Sequence, residues 1–302
     1  MYTAPLSDIV DDKNSIPHQL YADDTQLYIS FSTDDSTVSL HRLQDCLSRE
    51  QHWMFQNKLK LNPDKTEFLL IGNERQRGKY STLFPISLMG VETMPSKSVK
   101  NLGATFDQNF NFKSHISKLC SSCYYHIRDL RRIRKHISLD NAKTLATALV
   151  MPRLDYCNSL LQGLPAKDIL RLQRVQNCLA RVVTKSSRFT PSAPLRQALH
   201  WLPVDYRIRY KISLLTFKAL SLKQPAYLYN LITESVPSRS LRTNKGLLLS
   251  VPRIKTKTGT RAFSVCAPVM WNSLPISVRS AESVSVFRRR LKTHLFESAF
   301  PP

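Results

Sequence analysis

The spacing of apolar residues changes once along this chain, near residue 110, and that change limits the folds open to it. Upstream, apolar residues come in short runs. Leu27, Ile29 and Phe31 alternate with more polar neighbours, residues 65–71 are rich in strand formers, and residues 99–106 read as a further strand. Ile86, Ser87 and Leu88 stand across Met89-Gly90 from Val91, the pattern of a hairpin. One helical repeat interrupts them: Val38, Leu40, Leu43, Leu47 and Met54, with Asn57 at its exit. Downstream the spacing is helical almost throughout. Ile116, Leu119, Cys120, Cys123, Ile127, Leu130 and Ile137 mark one face of a long helix. Residues 139–151 make a second, with Ser138 as N-cap and Pro152 as its stop. Ile169, Leu172, Val175, Leu179 and Val182 mark a third after Pro165, and residues 208–222 and 287–296 add two more. The Pro/Ser-rich residues 186–194 are the best linker candidate, and residues 235–260 read as loop or short hairpin. The expectation is an α+β chain, predominantly helical, divided into residues 1–110, 111–190 and 191–302.

Charge divides the chain at nearly the same place. Residues 1–100 hold 11 Lys+Arg and 13 Asp+Glu, whereas the rest holds 33 and 9. An acidic region followed by a strongly basic one fits a metal-binding or catalytic part joined to a grip for a polyanion, with nucleic acid the first candidate and an anionic membrane surface the second. A basic surface that only confers solubility is the alternative. Six scattered cysteines form no secreted disulfide framework, and no stretch is long enough to span a membrane. This predicts a reduced intracellular protein, nuclear or cytoplasmic, that is not secreted.

The residues that carry chemistry stand at Tyr21-Ala22-Asp23-Asp24, at the leading turn of the first strand. Adjacent carboxylates repel, and a divalent cation reverses that penalty, with magnesium or manganese favoured by hard oxygen ligands. A plain surface turn is the alternative. Cys120-x-x-Cys123 with His126 and His136 could be read as zinc ligands, but both cysteines share the face of Ile116 and Ile127, so packing is the stronger reading. Arg131-Arg132-x-Arg134-Lys135 and Arg288-Arg289-Arg290-x-Lys292 fit phosphate contact, nuclear import or solvated helix faces equally.

Tyr21-Ala22-Asp23-Asp24-Thr25-Gln26-Leu27-Tyr28 resembles the third sequence block of reverse transcriptases from non-long-terminal-repeat, LINE-type retrotransposons. Trp53-Met54 with Asn57-Lys58-Leu59-Lys60-Leu61-Asn62-Pro63-Asp64-Lys65-Thr66-Glu67 resembles that family's fourth block, and Val99-Lys100-Asn101-Leu102-Gly103-Ala104 its fifth. Residues 1–9, Leu199-His200-Trp201-Leu202-Pro203-Val204 and Trp271-Asn272-Ser273-Leu274-Pro275 resemble further stretches in the family's order.

The resemblance implies a partial palm with antiparallel hairpins, a helical thumb and a basic, mixed C-terminal region. Asp23 and Asp24 would then be catalytic metal ligands for Mg2+, with Mn2+ possible, and Lys65 a proton donor to leaving pyrophosphate or else a surface lysine. Tyr21 would lie under the primer end and Leu102-Gly103 in the primer-grip hairpin, with Gly103 allowing close backbone approach. Arg128, Arg131, Arg132, Arg134, Lys135, Arg171, Arg174 and Arg181 would meet nucleic acid. The implied partners are an RNA template, an RNA/DNA hybrid or DNA, and deoxynucleotides. The family's first block, with its own metal-binding aspartate, would precede residue 1. Asp8, Asp11 and Asp12 match nothing in that block, so the expectation is a chain that does not polymerise by itself. A retroelement-derived RNA- or DNA-binding protein without catalysis is the alternative.

Overall fold

The computed structural model describes residues 5–11, 16–32, 34–80, 83–88, 90–235 and 248–301. Residues 1–4, Asp12, Met89 and much of 235–260, all singled out above, lie outside them. The chain divides into two compact units, Met1–Asn111 and Phe112–Pro302. The class is α+β, mostly helical with a few small antiparallel hairpins.

The first unit runs α1 (Pro5–Asp11), β1 (His18–Tyr21), β2 (Asp24–Leu27), α2 (Ser36–Gln56), α3 (Glu74–Lys79), β3 (Ile86–Leu88), β4 (Val91–Thr93), β5 (Ser98–Asn101) and β6 (Ala104–Asp107). These strands form three separate antiparallel pairs, β1–β2, β3–β4 and β5–β6. The 99–106 stretch, a single strand by its pattern, folds back on itself. Leu102 and Gly103 both take positive φ, 44° and 83°, the backbone of a two-residue hairpin turn whose twist matches its strands. Ile29 and Phe31 lie beyond the end of β2 and line a cavity instead of a ladder.

Helix α2 follows its apolar repeat and ends where Asn57 stands. Lys58 turns left-handed at φ 60°, its N–H donates to the carbonyl of Phe55, and the Leu59 N–H donates to that of Met54 at 2.8 Å. This closes the last carbonyls of the helix as a Schellman cap does, with lysine where glycine is usual. The buried face of α2 packs Leu43 and Cys46 against Val10 and Ile16, with Leu27 and Ile29 alongside, and Leu40 against Ile86. Leu47 and Phe68 touch both groups and so join them.

Glu50 interrupts that apolar face. It is 2% exposed, takes a hydrogen bond from the Thr25 side chain, and has one carboxylate oxygen, Oε1, with no partner. Burial pushes its carboxyl above the ordinary glutamate range, against the smaller pull of Thr25 and of nearby His18. A raised pKa means the fold favours the neutral acid. The stabilisation is full below the unfolded-state value and is lost as pH rises through the folded one. Glu50→Gln, uncharged at every pH, is therefore expected to raise stability at neutral pH by about 1 kcal/mol. The gain should vanish in acid, as denaturant melts at the two pH values will register.

The second unit runs α4 (Lys113–Ile133), α5 (Leu139–Leu149), α6 (Met151–Asp155), α7 (Ala166–Val183), α8 (Ser192–Ala198), α9 (Val204–Leu222), α10 (Ala226–Tyr229), α11 (Phe263–Ser273), α12 (Ile276–Arg279) and α13 (Val284–Ala299). Ser138 caps α5 as its position predicts, its hydroxyl accepting from the Asn141 N–H at 3.1 Å. Pro152 differs from its expected role: α5 has already ended at Leu149, and the proline sits in the first turn of α6, where a missing N–H costs nothing. Helices α4 and α7 bury Ile116, Cys123, Ile127, Leu172, Val175 and Leu179. A second cluster gathers Phe217 of α9, Trp271 of α11, and Phe287, Leu291 and Leu295 of α13. Phe287 stacks on Phe217 with centroids 4.2 Å apart and on Trp271 at 6.0 Å. Asp155 accepts two hydrogen bonds from the Arg207 guanidinium, one from Nε at 2.7 Å, tying α6 to α9.

Residues 186–194, expected as a linker, lie inside this unit and are held at both ends. The Ser186 N–H donates to the Arg181 carbonyl at 2.9 Å, and Arg181 Nε donates to the Thr190 carbonyl at 3.0 Å.

Candidate metal and nucleic-acid site

Tyr21 pairs with Asp24 across the β1–β2 hairpin, leaving Ala22 and Asp23 as a two-residue loop. Ala22 sits at φ 55°, a left-handed conformation that costs an L-residue roughly 1–2 kcal/mol. The turn therefore does not follow from local preference, and it presents both carboxylates to solvent at the tip. Beneath the tip, the Thr25–Glu50 contact fixes β2 to α2. At the far end of the hairpin, His18 Nε2 is 2.8 Å from the Ser7 hydroxyl of α1.

A second contact brings two hairpins side by side. Gln26 Nε2 of β2 donates to Asn101 Oδ1 of β5 at 2.9 Å, across 75 residues of sequence. Between them lies a cavity of about 730 Å³ whose lining includes Asp24, Lys65, Glu67, Arg77, Lys100 and Asn101. Of the residues marked in the sequence, Asp24 and Lys65 meet at this cavity. Asp23, Tyr21, Leu102 and Gly103 are not part of its lining; Tyr21 is 62% exposed and Leu102 37%.

The carboxylates of Asp23 and Asp24 are the right donor type for magnesium. Their number is too small. Among the described residues there is no group of three or more His, Cys, Asp or Glu placed to hold a metal ion. Two carboxylates do not make a closed site, and further oxygens would have to come from elsewhere.

The basic residues marked in the sequence sort into three settings. Ser117, Tyr124, Arg128 and Arg131 share one face of α4, and Arg171, Arg174, Cys178 and Arg181 share one face of α7. The two faces meet: Arg171 Nη2 donates to the Ser117 hydroxyl at 2.8 Å, and Arg131 Nη2 to Cys178 Sγ at 3.5 Å. Tyr124 is 40% exposed, with Arg174 close enough to act on its hydroxyl. Burial still raises the phenol above its ordinary range. Arg132 pairs instead with Asp129 at 3.6 Å, and Lys135 is exposed beyond the helix end. Arg134 stands apart from the expected set. It is 7% exposed, and it donates through Nε to the Val183 carbonyl at 2.9 Å and through Nη1 to that of Ile137 at 2.8 Å. The chain tightens into a 3-10 turn at Arg134–His136, which swings this side chain inward as an anchor between α4 and α7.

Cys120 and Cys123 are buried in the face of Ile116 and Ile127, and burial pushes the Cys123 thiol up to about 12. That is the environment of a packed thiol, not of a thiolate ligand. Gln26 and Asn101 stand in the sequence only as members of the resembling blocks, with no role marked, and Glu50 stands in none of them. Glu50 did leave a signal, since it falls three residues after Leu47 and four before Met54, a charge on an apolar stripe.

No family model matches the chain, and no solved structure matches it. A curated protein from Drosophila melanogaster, named "Probable RNA-directed DNA polymerase from transposon BS", is 26% identical over 194 residues, covering 62% of this chain and 20% of that protein. The chain thus spans about a fifth of the length of this relative. The similarity supports a reverse-transcriptase-like relationship.

Proposed function

We propose that this chain derives from a LINE-type retrotransposon reverse transcriptase and acts on nucleic acid chiefly as a binding protein. On this reading residues 1–110 are palm-derived, 111–190 thumb-derived, and 191–302 a basic C-terminal region. Asp23 and Asp24 hold the carboxylate positions of the polymerase, Lys65 lines the same cavity as Asp24, and Leu102-Gly103 takes the primer-grip turn. The observation that carries the reading is the Gln26–Asn101 contact, which sets the Asp-Asp hairpin beside the Leu102-Gly103 hairpin despite their distance in sequence. Magnesium or manganese would bind through Asp23 and Asp24 only with oxygens added by substrate phosphates or by other chain. Such a protein would work inside the cell, in nucleus or cytoplasm, where RNA templates are found.

The binding reading rests on the basic faces of α4 and α7, which meet through the Arg171–Ser117 and Arg131–Cys178 contacts. A primer-extension assay separates binding from catalysis. The chain by itself is expected to extend no primer on an RNA template in magnesium or manganese. Metal-dependent synthesis that disappears in Asp23→Ala would reveal a working active site and overturn the non-catalytic part. An RNA/DNA hybrid should nonetheless bind, with affinity falling steeply as salt rises. Absence of binding at low salt would sink the whole reading.

A further inference from the structure

Between Asp168 and Asp205 the chain contains no acidic residue but six basic ones: Arg171, Arg174, Arg181, Lys185, Arg188 and Arg196. The last four surround the corner joining α7 to α8. Arg196 is 9% exposed, and it spends its bonds on neutral groups, donating through Nη1 to the Asn177 side-chain oxygen and to the Ser192 hydroxyl at 3.1 Å. Its Nε is buried with no partner. Arg181 is close enough to depress the Arg196 pKa, adding to the effect of burial. Neither arginine has a carboxylate within ion-pair distance among the described residues. Two neighbouring guanidinium groups, one of them buried, without a counter-charge are costly for folding alone, and an arriving anion offsets that cost.

The same corner carries an aromatic ring with no packing role. Phe189 is 78% exposed, and the Arg188 guanidinium lies over it, 4.6 Å from its centroid. The loop that holds the ring is fixed. Lys185 is left-handed at φ 55°, the Thr184 and Ser186 hydroxyls are 2.8 Å apart, and the Thr190 N–H donates to the Ser187 carbonyl at 3.1 Å. A rigid, exposed aromatic set among uncompensated cations suits a ligand that offers flat rings and phosphates together. A duplex keeps its base faces stacked inside. A single strand exposes them.

We propose that the α7–α8 corner binds single-stranded nucleic acid, with Phe189 stacking on a base and Arg188 and Lys185 meeting the adjoining phosphates. Arg181 and Arg196 lie behind as fixed positive charges that draw the strand in. This surface shares no residue with the Asp23-Asp24 hairpin and needs neither metal nor deoxynucleotide, so its failure leaves the polymerase-derived reading standing.

The test is fluorescence anisotropy of a labelled oligouridylate titrated with the full chain, beside a fully paired RNA duplex. Phe189→Ala should weaken oligouridylate binding about tenfold, leave duplex binding unchanged, and leave the circular dichroism spectrum as it was. Phe189→Trp should keep or improve the affinity, and Arg188→Ala should reduce the log–log salt slope by about 1. Any of three results overturns the proposal: no oligouridylate binding at low salt, equal binding by wild type and Phe189→Ala, or competition by polyglutamate as effective as by unlabelled oligouridylate. The last would mark a site for acidic protein.

Discussion

Truncating Phe287 to alanine is expected to destabilise the second unit by about 3–5 kcal/mol, a large fraction of the stability of a typical domain. The side chain is fully buried and stacks on both Phe217 and Trp271, so its removal leaves a cavity between helices contributed by α9, α11 and α13. Phe217 and Trp271 are carried by α9 and α11 and cannot close the space without moving those helices, which places the cost in the upper part of the range for large-to-small changes. Urea unfolding followed by tryptophan emission reads this directly, because Trp271 is in the stack. Phe287→Leu, which keeps most of the volume, should cost less than half as much. Equal losses for the two variants would mean that ring stacking, and not cavity volume, sets the stability.

The second large effect concerns binding. Replacing Arg131, Arg171 and Arg174 together with glutamine should lower affinity for an RNA/DNA hybrid by about 10–100-fold at moderate salt. The log–log salt slope should fall by about 2–3, roughly one unit for each phosphate left without its arginine. These three lie where the exposed faces of α4 and α7 meet, and the bonds from Arg171 to Ser117 and from Arg131 to Cys178 hold two of them in place. Lys135→Gln, at an exposed position beyond the helix, serves as the matched control and should change the slope by at most about 1. Arg134→Gln is a different experiment. That guanidinium holds Val183 and Ile137 carbonyls inside the fold, so the variant should lose thermal stability before any binding is measured. An unchanged slope in the triple variant would remove the α4–α7 face from the nucleic-acid interface.

Features set by short-range chemistry could be read from the sequence, and features set by contacts between distant segments could not. The α4 stripe, the Ser138 cap and the α2 exit at Asn57 each depend on a few neighbouring residues, and each is found where the residue types put it. The β3–β4 pair flanks Gly90 as its apolar pattern predicts. The fold-back at Leu102-Gly103 escaped the strand pattern because a leucine at positive φ is rare, and the turn is closed by cross-strand pairs from Ser98–Asp107 to Asn101–Ala104. Arg134 reads as one more cation in a basic run, since the 3-10 turn that buries it depends on a carbonyl 49 residues away. At the candidate site, the two aspartates were legible as chemistry. Their setting was not, since Gln26, Asn101 and Glu50 act across 75 and 25 residues of chain and look ordinary one at a time.

The way the chain is held around residues 236–247 has a practical consequence. On the near side, the Ser235 N–H donates to the Leu248 carbonyl and the Ser250 N–H to that of Thr233, at 2.9 and 2.8 Å. Asn272 then grips Leu249 with its side-chain amide, accepting from its N–H at 2.9 Å and donating to its carbonyl at 2.8 Å. The two ends of the segment are thus fastened to each other and to α11 by bonds that do not involve the segment itself. The clasp depends on one amide side chain, so Asn272→Ala should loosen it and speed hydrogen exchange at the Leu249 and Ser250 amides.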